Sequence, residues 1–504
     1  MSGEKALLGI DSGTSACKVV AFDLRGEVIA EATTEHRISY PRIGWAEQDA
    51  EWWWDAAVNS MKEVIKKLRN YKIIGIGVDS QREAVVPISK EGKRISRSLI
   101  WLDQRAMEVL PSIRERLDES EVIRKTGVGI DHIFSAAKLL WIKKHEPKIF
   151  NEAEHFLFPK DYIIYKLTGE MATDYSMASR TMLFNIHKLE WDEDICDALE
   201  IPVEKLPQPH PSPDIVGYVS EKASSITGVP KDTPVVGGGG DRPCEALGGG
   251  ALRNGDVVLG TGTGSVVEVC LENPSPDGEK RADCCCHVIP GRWEYEMTIM
   301  TTGASMRWFR DVFGSEERRL AEKLNRDVYS VFDEMAERVP AGSEGLYFYP
   351  YFMGARAPIY DPHARGVFYG IALGHRKEHF IRAILEGVAF QYAGALKVIS
   401  DLGVKVGKIT VVGGEAKSDL WNRLKADIMN MPIIVTKIKD AAALGSAILA
   451  SIGSGIYSNF EEAVKNMVSI EKIYEPDPET HRKYLEFIER YWEICRKLFP
   501  LSYI

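Results

Sequence analysis

Apolar runs that end in polar, glycine-bearing turns recur along the chain, and helical patterns separate them. Two apolar runs flank Asp11-Ser-Gly-Thr-Ser15 within residues 6–23, which predicts a β-hairpin with a polar tip. Residues 256–269 predict a second hairpin, whose tip is rich in Gly and Thr. Each hairpin opens a long stretch of alternating strands and helices. The pattern therefore predicts a duplicated α/β architecture with a boundary near residue 247.

Other periodic segments predict the elements that complete the two halves. Helical spacing is present in residues 47–68, 134–146, 379–399, 441–450 and 478–498, and strand-like runs are present in residues 73–78, 85–88, 99–101 and 409–413. The runs at 85–88 and 99–101 are expected to continue the sheet of the run at 73–78. Residues 173–180 and the proline-rich residues 207–213 are expected to form loops. Most of the aromatic mass of Trp52, Trp53 and Trp54 is expected in the core.

Four consecutive glycines precede a single acidic residue. Gly237 to Gly240 follow an apolar run and precede Asp241, so no side chain blocks the approach of a ligand to the backbone. Residues 243–247 predict the first turn of a helix, with Pro243 near its first position. An α/β protein presents a carboxylate at a cleft in this way. Asp241 is therefore either a catalytic base or a helix-capping residue in a tight turn.

The tip of the first hairpin has the groups that hold phosphate. Backbone amides and hydroxyls of Gly13, Thr14 and Ser15 can bind phosphate oxygens, and Lys18 can neutralise their charge. Asp11, at the end of the first strand, can hold Mg²⁺ or its water shell. A plain hairpin is the alternative, because Asp and Gly favour turns in any case.

Two further positions have the chemistry of a binding site. Arg82 and Glu83 follow the strand-like run at 73–78, where one can donate and the other accept hydrogen bonds from a polyhydroxylated ligand. A salt bridge at the rim of the sheet is the alternative. Gly413-Gly414, between a predicted strand and a predicted helix, lets a ligand lie on the backbone at a helix N-terminus.

Composition narrows the class of protein. A chain of 504 residues exceeds one ordinary core, so two or more domains are expected. The net charge of -10 argues against a nucleic-acid partner. No apolar run has the length of a membrane span, and the N-terminal residues lack the pattern of a signal peptide. Neither a P-loop nor a dinucleotide-binding glycine motif is present.

Eight cysteines in a chain of this length do not predict a disulfide framework, and a reducing cytoplasm is the expected location. Cys284, Cys285 and Cys286 are consecutive. Neighbouring residues of a strand point to opposite faces, so these thiols are not expected to share a metal ion.

Taken together and in this order, these stretches resemble the FGGY family of carbohydrate kinases, and the resemblance covers nearly the whole chain. Asp11-Ser-Gly-Thr-Ser15 is similar to the family's first phosphate motif, and Gly262-Thr263-Gly264 is similar to its second. Residues 134–141 and 366–386 resemble its two sequence signatures. Gly413-Gly414 with Ser418 resembles its adenosine motif.

The resemblance implies an α/β fold with two ribonuclease H-like domains of the actin/hexokinase ATPase type around a central cleft. Residues 1–247 would form the sugar-binding and catalytic-base domain, and residues 248–504 would form the nucleotide-binding domain. It implies an ATP-dependent phosphotransferase that acts on a hydroxyl of a sugar or polyol, requires Mg²⁺, and is a cytoplasmic homodimer or homotetramer.

The resemblance also implies the roles of individual residues. Asp241 would be the catalytic base, and Asp11 with Asp241 would hold Mg²⁺. The substrate site would comprise Arg82, Glu83, Trp101, Asp241 and Arg242. The nucleotide and its phosphates would be bound by Gly13, Thr14, Ser15, Lys18, Gly262, Thr263, Gly303, Gly414 and Ser418.

Within the family the substrate is indicated by departures from one branch. Residues 81–83 and 172–187 resemble glycerol kinases, but Ile133 and Val266 replace a Tyr and a Phe of that branch, and Arg242 replaces a Gln. The loss of two rings enlarges the pocket, and Arg242 adds a cation with five donors. The stretches at 44–49 and 138–141 also resemble xylulokinases. The sequence therefore favours a pentulose or pentitol, with glycerol as the alternative and a non-metabolic actin-fold ATPase as a second alternative.

Overall fold

The computed structural model describes residues 4–500, so the outermost residues of the two predicted domains lie outside the described range. The chain forms two compact units. The first contains the chain up to Leu252, Cys270–Tyr295 and Asp440–Ser469, and the second contains Arg253–Val269, Glu296–Lys439 and the residues from Ile470 on. The chain thus passes between the units several times. The division of sugar-binding and nucleotide-binding roles at residue 247 stays a prediction.

The strands up to residue 252 are β1 (Glu4–Ser12), β2 (Ala16–Phe22), β3 (Val28–Glu35), β4 (Glu47–Gln48), β5 (Tyr71–Ser80), β6 (Val86–Ile88), β7 (Ser98–Leu99), β8 (His155–Leu157), β9 (Ala172–Asp174), β10 (Phe184–Asn185), β11 (Glu190–Trp191), β12 (Gln208–His210), β13 (Ile215–Tyr218), β14 (Pro234–Val236) and β15 (Gly239–Gly240). Those that follow are β16 (Val257–Thr261), β17 (Ser265–Leu271), β18 (Asp283–Cys286), β19 (Trp293–Ile299), β20 (Tyr347–Tyr349), β21 (Val367–Tyr369), β22 (Ile409–Gly413), β23 (Ile433–Thr436) and β24 (Ile470–Tyr474).

The helices up to residue 252 are α1 (Ala50–Lys67), α2 (Leu110–Arg116), α3 (Glu119–Thr126), α4 (Ser135–His145), α5 (Pro147–Glu152), α6 (Pro159–Thr168), α7 (Tyr175–Ser179), α8 (Glu193–Leu199), α9 (Glu221–Thr227) and α10 (Asp241–Gly248). Those that follow are α11 (Gly303–Phe313), α12 (Ser315–Leu324), α13 (Val328–Glu337), α14 (Lys377–Asp401), α15 (Asp419–Met429), α16 (Ala441–Gly453), α17 (Phe460–Met467) and α18 (Pro478–Leu498).

Two seven-stranded sheets share a central arrangement of strands. The first has the order β13-β14-β5-β1-β2-β3, with β15 also paired to β5, and the second has the order β18-β19-β17-β16-β22-β23-β24. In each, an antiparallel hairpin (β1–β2 or β16–β17) lies beside a parallel strand (β5 or β22). A further parallel strand and an antiparallel strand complete that side, β14 with β13 or β23 with β24. The predicted duplicated α/β architecture is confirmed.

The core of the first unit lies on both faces of its sheet. Trp53 and Trp54 of α1 are buried on one face, as predicted, while Trp52 is partly exposed. On the other face α16 packs against paired glycines of β1 and β5. A Cβ on Gly9 would lie 2.0 Å from the carbonyl oxygen of Ala443, and one on Gly77 would lie 1.9 Å from that of Ser446. This close approach places residues 440–469 in the first unit.

Several predicted elements take a different form. β6 pairs with β8 and β7 with β4, so neither continues the main sheet. Both edges of β5 are already paired, with β1 on one side and with β14 and β15 on the other. Residues 173–180 are not a loop, since they form the end of β9, then α7, and Arg180 is the C-cap residue of α7. The proline-rich run supplies β12, which pairs only with β9, a position that tolerates a residue without an amide hydrogen.

None of the helices within residues 4–500 combines the length and the apolar character that crossing a bilayer requires.

Candidate active site

Three acidic residues lie at the carboxyl ends of neighbouring parallel strands. The register of β1 and β5 pairs Asp11 with Asp79. On the other edge of β5, Gly239 and Gly240 of β15 pair with Asp79 and Ser80, and Asp241 follows at once as the first residue of α10. Because parallel strands end at the same edge of a sheet, the three carboxylates share one side of the first unit.

Asp241 does not cap its helix. The N-cap position is occupied by Gly240, and no side chain caps α10 there, so the capping alternative does not hold. Pro243 is the third residue of the helix rather than the first. The Oδ1 atom of Asp241 accepts a hydrogen bond of 2.9 Å from the Arg242 amide and lies 3.4 Å from Nε of Arg82. The side chain keeps 28% exposure, so a ligand can reach it.

The glycine run is required by close packing around the acid. Gly238 has a φ of +69°, and a Cβ there would lie 1.9 Å from the carbonyl oxygen of Val78. A Cβ on Gly240 would lie 2.3 Å from Cδ of Arg82. The aliphatic stem of Arg82 therefore lies directly on the backbone that leads to Asp241, and any larger residue would displace it.

Asp79 belongs to this cluster, although the sequence analysis gave it no role. It is fully buried, and its Oδ2 accepts a hydrogen bond of 2.7 Å from the Ser446 hydroxyl. Burial and the charge of Asp241 raise the pKa of Asp11 to about 7, although a hydrogen bond with Asp79 lowers it in part. Burial and the charge of Asp11 raise the pKa of Asp79 well above its ordinary value. An acid directly after an apolar run, as at Asp11, was the signal that could have identified it.

We expect the Mg²⁺-free protein to lose stability as the pH rises from about 5 to 7, because Asp11 keeps a proton in the folded state that it has released in the unfolded state. Asp11 contributes at most about 1.4 kcal/mol per pH unit to the slope of the unfolding free energy against pH. This part of the slope falls to zero above the pKa of Asp11 in the folded protein. Urea unfolding in EDTA at several pH values measures it. The slope should be shallower in Asp11→Asn and unchanged in Asp232→Asn, which alters an exposed acid in the turn before β14. Equal slopes in all three proteins would contradict the assignment.

The two charged residues after β5 are buried, and each has a partner elsewhere in the chain. Arg82 and Glu83 are each 6% exposed, so the rim salt bridge considered above does not hold. Arg82 contacts Asp241, whereas Oε1 of Glu83 accepts a hydrogen bond of 2.7 Å from Nε of Arg180. Glu83 has a φ of +62°, and its carbonyl oxygen accepts a hydrogen bond of 3.2 Å from the Ser135 hydroxyl. Contacts from two distant segments thus hold Glu83.

Arg180 joins the segments that surround Glu83. Its second nitrogen donates to Asp283 at 2.9 Å, and its guanidinium lies 4.9 Å from the ring centroid of Phe134. Arg180 lies in the segment that resembles glycerol kinases, but no pattern in that segment gives the residue a role. Glu83 is 97 positions before Arg180 and Asp283 is 103 after it, so no local pattern signals the cluster.

Other predicted residues of the first unit lie beside the hairpin tip or beside Asp241. The indole of Trp101 donates a hydrogen bond of 2.9 Å to the hydroxyl of Thr14, which joins a predicted sugar residue to a predicted phosphate residue. Lys18 is 2.8 Å from Asp440 and 2.7 Å from Glu31. Gly13 and Ser15 complete the tip, where Ser15 is exposed. These placements leave their roles as predictions.

The guanidinium of Arg242 pairs with Glu245, one turn farther along α10. A ligand that uses Arg242 must therefore share this guanidinium with Glu245. This arrangement is compatible with hydrogen bonds to hydroxyl or carbonyl oxygens.

The acidic cluster fits a water-coordinated Mg²⁺ better than a metal held by protein ligands alone. Within residues 4–500, no group of three or more His, Cys, Asp or Glu side chains is arranged to hold a metal ion directly. Mg²⁺ commonly uses one or two carboxylates together with waters and phosphate oxygens. The repulsion between Asp11 and Asp241 that raises the pKa of Asp11 is what a bound cation would relieve.

Cys284, Cys285 and Cys286 are buried on β18.

In the second unit, the predicted nucleotide residues meet at the ends of β16 and β22. Thr261 pairs with Gly413, and the amide of Gly414 donates to the Thr261 carbonyl at 3.0 Å. Gly303 begins α11, where a Cβ would lie 2.3 Å from the carbonyl oxygen of Gly262. The structure therefore brings together three stretches that the sequence shows separately.

The hydroxyl of Thr263 accepts a hydrogen bond of 3.2 Å from Arg307, a residue that the sequence analysis did not select. Ser418 lies at the start of α15, and its contacts differ from those of the glycines described above. Its hydroxyl caps α15 through the Trp421 amide and donates to Asp333 at 2.7 Å. Its predicted contact with adenosine stays a prediction.

A buried polar network lies behind these glycines. The hydroxyls of Ser265 and Thr302 are 2.6 Å apart, and the Tyr392 hydroxyl donates to Ser265 at 2.7 Å. The Tyr392 oxygen also lies 3.0 Å from Oε2 of Glu415, and that carboxylate is 2.8 Å from Nζ of Lys425. The network ties the hairpin base to α14 and α15, which gives the exposed tip residues Gly262 and Thr263 a fixed support.

Comparisons with known proteins agree with this arrangement. The chain matches the N-terminal domain of the FGGY family of carbohydrate kinases over residues 6–248 and the C-terminal domain over residues 257–454. It is 30% identical to a gluconokinase of Bacillus subtilis over 493 residues, which cover 98% of this chain and 96% of that protein. It is 32% identical to a glycerol kinase of Thermococcus kodakarensis over 486 residues, which cover 94% and 93%.

A solved structure gives the same result. The crystal structure of a xylulose kinase from Rhodospirillum rubrum has a TM-score of 0.90 and 28% identity, and the match covers 99% of this chain and 100% of that one. The matches span both sheets and all the motifs described above. The predicted two-domain α/β fold is confirmed, and the chain belongs to the FGGY family of carbohydrate kinases.

Proposed function

We propose that the protein transfers the γ-phosphoryl group of ATP to a primary hydroxyl of a neutral pentulose or pentitol, with Asp241 as the general base. The observation that carries the proposal is the position of Asp241 after β15, beside Arg82 and on the same strand edge as Asp11. Phosphoryl transfer depends mainly on positioning and charge neutralisation, which such an edge supplies.

Asp241 would accept the proton of the attacking hydroxyl. Nε of Arg82, 3.4 Å away, and the N-terminal end of α10 place positive charge beside this carboxylate. A general base must lie within about 3 Å of the proton that it removes, and the partly exposed carboxylate allows that approach. Arg82, Glu83, Trp101 and Arg242 would orient the remaining hydroxyls of the sugar.

Asp11 and Asp241 would hold Mg²⁺ through its water shell. When bound, the ion would neutralise charge on the β- and γ-phosphate oxygens. Gly13, Thr14 and Ser15 would bind phosphate oxygens, with Lys18 as a counter-charge. In the second unit the nucleotide would be bound by Gly262, Thr263, Gly303, Gly414 and Ser418.

A neutral substrate is favoured by the pairing of the arginines. Arg82 contacts Asp241, Arg180 contacts Glu83 and Asp283, and Arg242 contacts Glu245. The carboxylate of a sugar acid would have to compete with these acidic groups for each guanidinium. Hydroxyl and carbonyl oxygens can accept hydrogen bonds without displacing the ion pairs.

ADP release measured against glycerol, pentuloses, pentitols, hexuloses and gluconate tests the proposal. We expect the highest kcat/KM with a pentulose or pentitol, by about tenfold or more over glycerol, because a site built for additional hydroxyls is left with unpaired polar groups by a shorter substrate. A preference for glycerol would support the alternative that the Thermococcus relative suggests. ATP hydrolysis that no acceptor stimulates would support a non-metabolic ATPase instead.

The same assay can be applied to a variant that carries the two aromatic residues of the glycerol kinase branch. Ile133→Tyr combined with Val266→Phe should raise activity on glycerol relative to the pentulose or pentitol. An unchanged ratio would remove the argument from pocket size. The cytoplasmic location and the assembly of two or four copies stay predictions.

A further inference from the structure

A buried hydrogen-bond chain ends at the backbone amide that precedes Asp241. The amide of Gly240 donates to the hydroxyl of Ser176 at 2.9 Å, and that hydroxyl donates to Oδ2 of Asp174 at 2.5 Å. A hydroxyl has one hydrogen and two acceptor sites, so it can make both bonds at once. The last residue before Asp241 is thereby attached to α7, an element 64 positions earlier in the chain.

Asp174 holds the Ser176 hydroxyl in one orientation. It ends β9 and caps α7, where its Oδ2 accepts the Ser176 amide at 2.8 Å. The Ser212 hydroxyl donates to the same oxygen at 2.9 Å. Because the amide and the hydroxyl of Ser176 both bind one carboxylate oxygen, the side chain has a single favourable orientation. That orientation directs its remaining acceptor site toward Gly240.

A buried cation balances Asp174. Nζ of Lys160 is 3.1 Å from Asp174 and 2.7 Å from Asp161, and all three side chains are fully buried. The amide of Lys160 also donates to the Ser80 hydroxyl at 3.0 Å, at the end of β5. A buried ion pair is seldom worth more to stability than apolar residues of similar volume. Stability alone is therefore a weak reason for this network, and a positional role accounts for it better.

The glycine strand needs such an external anchor. β15 has only two residues, and neither has a side chain that could pack to hold it in place. A Cβ on Gly239 would lie 2.3 Å from Cγ1 of Val288, so the close packing excludes one. The position of this strand depends on contacts to its backbone, namely the pairing with β5 and the bond to Ser176.

We propose that Ser176, oriented by Asp174, is a positioning residue that fixes the backbone of Gly240 and thereby sets the location of the Asp241 carboxylate. The inference rests on the proposed role of Asp241 as general base. Ser176 touches neither the sugar nor the nucleotide in this scheme. It acts on the turnover step, because a displacement of about 1 Å in a catalytic group can reduce the rate by about two orders of magnitude.

Ser176→Ala removes the acceptor, and Ser176→Cys replaces it with a weaker one of similar size. Both should lower kcat by about tenfold to a hundredfold while the KM values for ATP and for the most active acceptor of the panel change by no more than about twofold. Ser212→Ala is the matched control, because it removes a buried hydroxyl from the same oxygen of Asp174 without touching Gly240. It should lower the melting temperature about as much as Ser176→Ala and leave kcat close to that of the parent protein.

Ser176→Thr keeps the hydroxyl and should recover most of the lost kcat. The inference is overturned if the folded Ser176→Cys protein keeps its parent kcat, or if Ser212→Ala loses as much turnover as Ser176→Ala. Asp241→Asn separates the two levels of the argument. If that variant is inactive while the Ser176 variants turn over normally, only the positioning role fails. If Asp241→Asn itself stays active, the proposed general base fails.

Discussion

Asp241→Asn should reduce kcat by about three to four orders of magnitude and leave sugar binding measurable. A general base contributes about 10²- to 10⁴-fold, and this residue would also help to hold Mg²⁺, so the loss is expected near the upper end of that range. Asparagine has nearly the same shape and can keep the hydrogen bond from the Arg242 amide, so the start of α10 should not change. Steady-state ADP release gives kcat, and equilibrium binding of the sugar gives its affinity.

Asp55→Asn is the matched control for this experiment. Asp55 is an exposed residue of α1, and the same chemical change there should leave kcat unaltered. A turnover rate of Asp241→Asn within about tenfold of the parent would show that the carboxylate is not the base, since that loss is below what general-base catalysis supplies.

Arg180→Met should destabilise the protein by about 3–5 kcal/mol and raise the KM for the sugar. The substitution removes the guanidinium between Glu83 and Asp283, and breaking a buried ion pair by deleting one partner leaves an uncompensated charge. Glu83 would also lose the bond that orients its carboxylate. Urea unfolding measures the loss of stability, and initial rates at varied sugar concentration measure the KM.

Arg124→Met provides the comparison for Arg180→Met. Arg124 makes an exposed ion pair with Glu121, and its loss should leave the free energy of unfolding essentially unchanged. Adding Glu83→Gln to Arg180→Met should restore part of the stability, because it removes the stranded charge, but it should not restore the KM. Equal losses in Arg180→Met and Arg124→Met would show that the buried cluster has no special importance.

Local patterns in the sequence were sufficient for the repeating plan of the molecule. Alternating apolar residues around Asp11-Ser-Gly-Thr-Ser15 and around residues 262–264 predicted both hairpins, and the structure contains them as β1–β2 and β16–β17. The helix predicted over residues 478–498 has those bounds as α18. Such features depend on neighbours a few positions apart, which a sequence displays directly.

The partners of the candidate site residues depended on the tertiary structure. Glu83 was a candidate from its position after a strand, but its partner Arg180 is 97 residues away. Asp79 gained its significance only from the register that sets it beside Asp11. Strand pairing and helix packing bring such residues together, and neither is encoded at a fixed spacing.

The sequence by itself determined the family, the duplicated sheets and the glycine run that ends in Asp241. Only the tertiary structure showed that Asp241 does not cap its helix, that α16 packs into the glycines of β1 and β5, and that Ser176 binds the Gly240 amide. The physical reason is the range of the interactions. Periodicity and turn chemistry act within a few residues, whereas buried hydrogen bonds and close backbone contacts join residues that only the folded chain brings together.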